Sequence, residues 1–501
     1  MSVNAAMLML SFFSFIFTCS QAFSANQVEV SVPWLLELVV KHSDDIARQQ
    51  NSLSADHASV LSIDSTLNPR LGVMLSHLED NNERANNAAL GKNATQKISA
   101  NFSKAFSTGT SISAEIYSAK KEQEITAGVP PANQTNSFQE SGLSFELRQS
   151  LLKNGFGRAY HASRESALTA KAAKKHATEG SMEGYLEALI DQYFSIWTAF
   201  NQLASAEERL KREQRRKNIY DRQFRRGFIE KKDILQIDSS ILSAEKNVSD
   251  SSQLITSLLI KLGTVVKMDL YRQYIDKKIE IKFQEEKTED VEKLCRQKIP
   301  ELKSLNREAY EKRIQSFSKR IESIESNGNP DVYLAARVNG NGIDDDAGNS
   351  LTEASSLEHP QYFLAIGVDM ILGNHANQAE KLEAIKSRSE NEILLSQEKS
   401  QFASDWLETC NSLEVIKKKR GFITRKLDLD TQRLKLLDQD FRLGKTDLST
   451  LLLAEDSLTN TKSNLASLSA QLYNTAWHLR RQSGKLRPYV NMAMSQRGAN
   501  E

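Results

Sequence analysis

Phe224-Arg225-Arg226-Gly227 and Phe441-Arg442-Leu443-Gly444 each close a long stretch of helical periodicity, and each is followed at once by another such stretch. Glycine lacks a Cβ and so takes the positive φ by which a chain leaves one helix and enters the next. Both segments therefore read as hairpin tips of long antiparallel helices. From residue 157 to 224, and again from 374 to 441, about 68 residues pass without a proline, on the order of 100 Å of helix at ~1.5 Å per residue. A compact domain has no use for helices of that length.

The apolar residues on both sides of each tip keep a coiled-coil step. Before the first tip Met182, Leu186, Leu189, Tyr193, Ile196, Phe200 and Leu203 advance by four and three; after it Ile234, Ile237, Ile241, Ala244, Val248, Ile255, Leu258 and Leu262 go on. After the second tip Leu451, Leu458, Leu465, Leu472 and Leu479 fall at every seventh position. Such a seam is packing rather than chemistry, and it demands partners equally long.

Composition agrees with a chain of few, long elements. The 501 residues include only 8 Pro and 21 Gly, and 65 Lys and Arg balance 64 Asp and Glu. A net charge near zero gives no global field for nucleic acid, which is not expected as a partner. Residues 1–24, with the apolar run MLMLSFFSFIF, read as a secretory signal peptide; the run is too short for a membrane span, and Cys19 stands in a poor context for lipidation. Beyond it only Cys295 and Cys410 remain, which predicts two buried free thiols rather than a disulfide framework. With no other segment apolar enough for a transmembrane helix, an exported chain of this kind enters a membrane only as strands.

The pattern repeats. A helical stretch over residues 30–67 ends at Asn68-Pro69, and a later one ends at Asn329-Pro330. After each proline the period switches from helical to alternating. Leu71, Val73 and Leu75 come first; residues 98–106 and 111–117 flank the hairpin signal Ser107-Thr108-Gly109-Thr110; Leu143, Phe145 and Leu147 follow. In the second half residues 332–338 and then Leu364, Ile366, Val368 and Met370 alternate in the same way. Polar stretches at 80–93, 122–137 and 339–358 read as long exposed loops. The expected organisation is a signal peptide at 1–24, a first repeat at 25–265, a linker at 266–289, a second repeat at 290–483 and a tail at 484–501.

The ordered set of marks resembles the TolC family of outer-membrane efflux proteins over about residues 30–483. The marks are the repeat, the Phe-x-x-Gly tips followed by Asp233-Ile234-Leu235 and by Leu451-Leu452-Leu453-Ala454, and two strand-to-helix junctions at residues 143–158 and 362–374. The resemblance implies a fold that is mainly α with a smaller β part: a homotrimer with one shared outer-membrane β-barrel, continuous with a periplasmic coiled-coil tube. It implies an exit duct of a tripartite efflux or type I secretion system, in contact with outer-membrane lipid. The tips would meet a periplasmic adaptor, and through it an inner-membrane pump or secretion ATPase. The hairpin at Gly109 resembles a subset of that family, and its place inside or outside the barrel is left open here.

On this reading the docking residues are Phe224, Arg225, Arg226, Gly227, Phe441, Arg442, Leu443 and Gly444. The family narrows its lumen with carboxylates just past the tips; Asp233 stands at the matching place in the first half, but Thr450 and Leu453 stand there in the second, with Asp447, Glu455 and Asp456 nearby. Each of these acids equally suits a solvated helix face. The approach to the first tip is rich in Arg and Lys from Arg209 to Lys232, which predicts a basic end suited to an acidic adaptor surface or anionic cargo. The eight histidines are scattered, and there is no phosphate loop and no nucleophile arrangement. No catalysis, metal or cofactor is expected. The competing reading is a periplasmic coiled-coil scaffold with a small β-head and no pore.

Overall fold

The computed structural model describes residues 30–55, 57–80, 93–124, 135–276, 286–296 and 304–495. The expected signal peptide, the outer parts of the loops after residues 80 and 124, and part of the linker lie outside these residues. In chain order the elements are α1 (Val32–His42), α2 (Asp44–Ala55), α3 (His57–Asp64), β1 (Arg70–Asp80), β2 (Asn93–Ala105), β3 (Thr110–Glu124), β4 (Thr135–Ser150), α4 (Arg158–Arg225) and α5 (Lys231–Val266). There follow α6 (Leu270–Ile275), α7 (Glu289–Cys295), α8 (Leu305–Gly328), β5 (Asp331–Asp344), α9 (Ala347–Ser356), β6 (Gln361–Asp369), α10 (His375–Arg442), α11 (Leu448–Gln482) and α12 (Arg487–Ser495).

The long helices form as the periodicity requires: α4 and α10 each run 68 residues and stop at the two tips. The helical stretch expected over 30–67 is not one helix. It breaks at Ser43, whose backbone is extended, and Asp44 and Asp45 open a new helix where their charge faces its amino-terminal dipole. The Ser43 hydroxyl lies 2.9 Å from that of Tyr185, which holds the break in place.

The chain folds into two compact units, each drawn from both halves of the sequence. Of the described residues, one takes those up to Gln50, those within Glu179–Ser304 and those from Ser400; the other takes those within Asn51–Thr178 and Leu305–Lys399. In the first unit Leu35, Leu36 and Val39 of α1 meet Met182, Leu186 and Ile190 of α4, Ile255 and Leu259 of α5, Trp406 of α10 and Leu472 and Tyr473 of α11. The seven-residue leucines are buried at Leu451, Leu458, Leu472 and Leu479, with Leu465 half-buried. At roughly 25 cal/mol per Å² of apolar surface, burial of this seam stabilises the unit. Leu486, Val490 and Ala493, at and within α12, are buried in the same core.

The same unit overturns one expectation. Cys295, at the end of α7, and Cys410, within α10, are joined in a disulfide with Cα atoms 5.6 Å apart, across 115 positions of sequence. The pairing was not legible because cysteine spacing carries no information about two segments that meet only through a tertiary core. Val291 of α7 is buried in that core, and Glu292 accepts from Lys417 of α10 at 2.7 Å. A disulfide fits an oxidising compartment.

In the second unit the six strands form one antiparallel sheet in sequence order, β1-β2-β3-β4-β5-β6. The register places like with like. One row runs Leu71, Phe102, Ala114, Phe145, Val338 and Tyr362, and the next holds Val73, Ala100, Ile116 and Leu143. This face is apolar and open: Leu71 is 75% exposed and Leu364 83%. The opposite face carries Lys97 bonded to Glu115 at 3.1 Å, Arg148 to Asp331 at 2.7 Å, and Arg337 to Glu146. A water-soluble β-head would show the reverse, with its apolar face covered.

The hairpin at Gly109 lies inside the sheet, between β1 and β4. Its turn closes with Phe106 N–H donating to Thr110 O at 2.8 Å and with Gly109 at φ +76°. A Cβ there would meet Asn154 O at 2.4 Å, so glycine is required by space as well as by φ. Residues 339–358, expected as a loop, are mostly ordered structure. β5 continues to Asp344, and α9 lies against β4 and β5, with the Ser350 hydroxyl 2.8 Å from that of buried Ser141. Gly340 and Gly342 admit this helix, since a Cβ on either would collide with its carbonyl oxygens.

Candidate docking tips and aperture

Both tips are helix-ending turns of the same kind. At the first, Gly227 N–H donates to Phe224 O at 2.9 Å and Phe228 N–H to Gln223 O at 3.0 Å; at the second, Gly444 N–H donates to Phe441 O at 3.0 Å and Lys445 N–H to Asp440 O at 2.8 Å. This is the Schellman arrangement with glycine in the left-handed region, φ +76° and +71°. A Cβ built on either glycine meets nothing within 4 Å. The backbone here is constrained in φ but open to approach.

The two tips differ in what their aromatic residue does. Phe224 is 44% exposed, beside Phe228 at 75%. Phe441 instead stacks on the buried Tyr220 of α4, centroids 5.1 Å apart and planes at 6°. Around this pair pack Ile237, Leu448, Ile234 and Leu452. Phe441 therefore ties one hairpin to the other, while Leu443, 68% exposed, is the apolar residue its own tip presents. Burial pushes the Tyr220 hydroxyl well above its ordinary pKa, with Asp233 and Asp447 contributing in the same direction.

The aperture candidates are all engaged in starting helices. Asp233, in the first turn of α5, accepts from Glu230 N–H at 3.0 Å. Asp447 caps α11, accepting from Thr450 N–H at 2.7 Å and from the Ser449 hydroxyl at 2.8 Å, and these bonds hold its carboxyl below the usual range. Within one chain Asp447 and Thr450 are thus brought together as cap and third helical residue. These contacts give Asp233 and Asp447 a part in starting the helices, while Thr450 takes part through its backbone N–H.

One of the acids named beside the second tip is fully buried. Glu455 is 0% exposed and accepts from Arg212 at 3.0 Å and Arg216 at 2.9 Å; Arg216 also reaches buried Glu213 at 3.1 Å. Arg209 bonds Asp456 at 2.7 Å. Much of the basic approach is therefore consumed inside the hairpins, because Arg209, Arg212 and Arg216 lie on the face of α4 that meets α11. Arg215, Arg222, Arg225, Arg226 and Lys231 remain exposed. A one-sided periodicity in the charges, three and four apart, was the available signal. A cavity of about 360 Å³ opens beside this network, lined in part by Arg215, Lys435 and Arg442.

Among the described residues one group of ligand-type side chains comes together, Glu353, Glu358 and His359. Glu358 and His359 are exposed, and Glu353 already accepts from Ile343 N–H at 2.9 Å. Among the same residues no helix is long and apolar enough to cross a membrane.

The exposed apolar sheet and the 68-residue helices that follow its strands make up a fold that this chain shares with solved outer-membrane channels. Among solved structures, CusC, described for conformational changes accompanying folding and transmembrane channel formation, superposes with a TM-score of 0.64 at 15% identity, covering 91% of this chain and 92% of its own. The outer membrane protein VceC of Vibrio cholerae matches with a TM-score of 0.63 at 11% identity, over 90% and 95% of the two chains. The CmeC outer membrane channel of Campylobacter jejuni matches with 0.64 at 10%, over 92% and 89%. At this identity the likeness is one of fold. No protein-family model and no curated protein sequence matches the chain.

Proposed function

We propose that the chain is an outer-membrane channel, three copies of which share one barrel in lipid and one helical tube in the periplasm. In this role it passively conducts cargo delivered by an inner-membrane pump or secretion ATPase through a periplasmic adaptor. The observation that carries the reading is the face bearing Leu71, Val73, Leu364 and Ile366, which is apolar and exposed on a sheet whose opposite face holds ion pairs. Lipid is the environment in which that inversion is stable, and unpaired strand edges in lipid require further copies of the sheet. The fold shared with solved outer-membrane channels supports the same role.

The tips are the proposed docking surface. Phe224, Phe228 and Leu443 give exposed apolar contact, Arg225, Arg226 and Arg442 surround them with charge, and the open space over Gly227 and Gly444 admits a partner's backbone. Asp233, Asp447 and Thr450, just past the tips, are the proposed aperture, with Asp233 and Asp447 also starting their helices. Membrane fractionation and single-channel recording of the purified protein test the function. An outer-membrane trimer that conducts ions supports it; a soluble monomer without conductance replaces it with the scaffold reading.

A further inference from the structure

We infer that β1 of one copy pairs with β6 of the next, and that the Gly109 hairpin is part of the barrel wall, so that the shared barrel has eighteen strands. The inference rests on the three-copy channel proposed above, and it says how that barrel is built.

Four observations carry it. The sheet has six strands in sequence order, so β1 and β6 are its two edges and run in opposite directions. An edge-to-edge join between copies therefore continues the antiparallel ladder without a break. The apolar face is also continuous over all six strands. In the row from Leu71 to Tyr362, β2 and β3 contribute Phe102 and Ala114 on the same side as Phe145 and Val338. A hairpin standing outside the wall in water would have no reason to keep this alternation.

The third observation is the stagger. Followed across the ladders, Arg70 leads through Ser103, Ser113, Glu146 and Arg337 to Phe363. Phe363 lies six residues before Asp369, where β6 ends. With Arg70 of the next copy set opposite Asp369, the stagger is six residues for every six strands. At ~3.3 Å per residue and ~4.8 Å between strands, the strands tilt by about 35°, at the lower end of the range that closed barrels adopt.

The fourth is charge and parity at the join. That register sets Arg70 against Asp369, opposite charges at the edge ends nearest the helices, and it brings Val73 opposite Ile366 and Leu75 opposite Leu364, keeping the apolar face unbroken. A slide of two residues either way also keeps the faces matched, but it parts Arg70 from Asp369. The ion pairs of the other face, such as Lys97 with Glu115 and Arg337 with Glu146, then line the interior. A barrel of this strand number leaves a water-filled channel rather than a side-chain core.

The test is disulfide trapping in cells carrying the full chain. The variant Arg70→Cys/Asp369→Cys is oxidised in membranes and run on denaturing gels without reductant. A ladder up to the covalent trimer, absent in either single variant, is the expected result. Val73→Cys/Ile366→Cys repeats the measurement without removing the charges, so a loss of assembly in the first variant does not decide the matter. Cross-linking of Arg70→Cys with Gly367→Cys in place of Asp369→Cys would overturn the register and its tilt. A conducting trimer that cross-links in none of these pairs would overturn the eighteen-stranded wall while leaving the channel intact. A protein that is not a trimer would instead overturn the channel reading beneath it.

Discussion

Phe441 of the second tip stacks on Tyr220 of α4, with ring centroids 5.1 Å apart and planes at 6°. Phe441, expected as half of a matched docking pair, also forms a contact by which one hairpin holds the other. Phe224, in the same position of the first tip, is exposed and free to meet a partner.

Truncation separates these two roles. Phe441→Ala removes the stack and leaves a cavity beside Ile237 and Leu448, so it is expected to lower stability by about 2 kcal/mol. Phe224→Ala is expected to change stability by less than ~0.5 kcal/mol while reducing export. Denaturant unfolding and an export assay on the two variants check this; equal destabilisation by both would reject the assignment.

At the tip glycines space and conformation make different demands. Gly227 and Gly444 have room for a side chain but sit at positive φ, so Ala at either is expected to cost about 1–2 kcal/mol by backbone strain alone. Gly227→Trp and Gly444→Trp carry the same strain and also fill the approach. They are expected to leave trimers assembled and to abolish export. Loss of the trimer in these variants, read by native electrophoresis, would make the tips structural only.

The Cys295–Cys410 bridge closes a loop of 115 residues. Its removal by Cys410→Ser is expected to lower stability by about 2–5 kcal/mol. Unfolding midpoints with and without reductant provide the check: the parent chain drops on reduction and the variant does not respond. A parent chain indifferent to reductant would show that the bridge does not form.

Glu183 makes the stability depend on pH. It is buried in α4, with Glu179 and Glu187 on its own helix and Arg481 and Arg487 facing it, and desolvation raises its pKa from 4.5 to about 7. Between those values the folded chain holds a proton that the unfolded chain has lost, so stability falls as pH rises from 4.5 to about 7 and is level above. Glu183→Gln removes the penalty. It is expected to be the more stable form at pH 8 by about 2 kcal/mol and to lose that advantage at pH 4.5. Urea titrations at the two pH values decide it; a variant that gains most at low pH contradicts the sign.

Much of the molecule was readable before any coordinate. The tip turns, the four strand positions of the first half and two of the second, and the buried leucine seam follow from local rules: a glycine that must take positive φ, a period of two, a period of seven. The candidate site was less legible. Asp233, Asp447 and Thr450 were read as an aperture because of where they lie after the tips; the part that Asp233 and Asp447 take in starting α5 and α11 was not read from the sequence. Glu455 stood in the sequence only as one of several acids near the second tip, because burial of an acid depends on which arginines another helix brings to it.

By itself the sequence determined the kind and order of elements, since propensity and periodicity act over a few residues. Tertiary structure alone decided which separated segments meet. It joined Cys295 to Cys410 and laid Phe441 on Tyr220. It also set β2 and β3 between β1 and β4, so that their apolar residues align into a single face. Each is a contact between residues far apart in sequence, specified by the packing of whole helices and strands and not by any local preference of the chain.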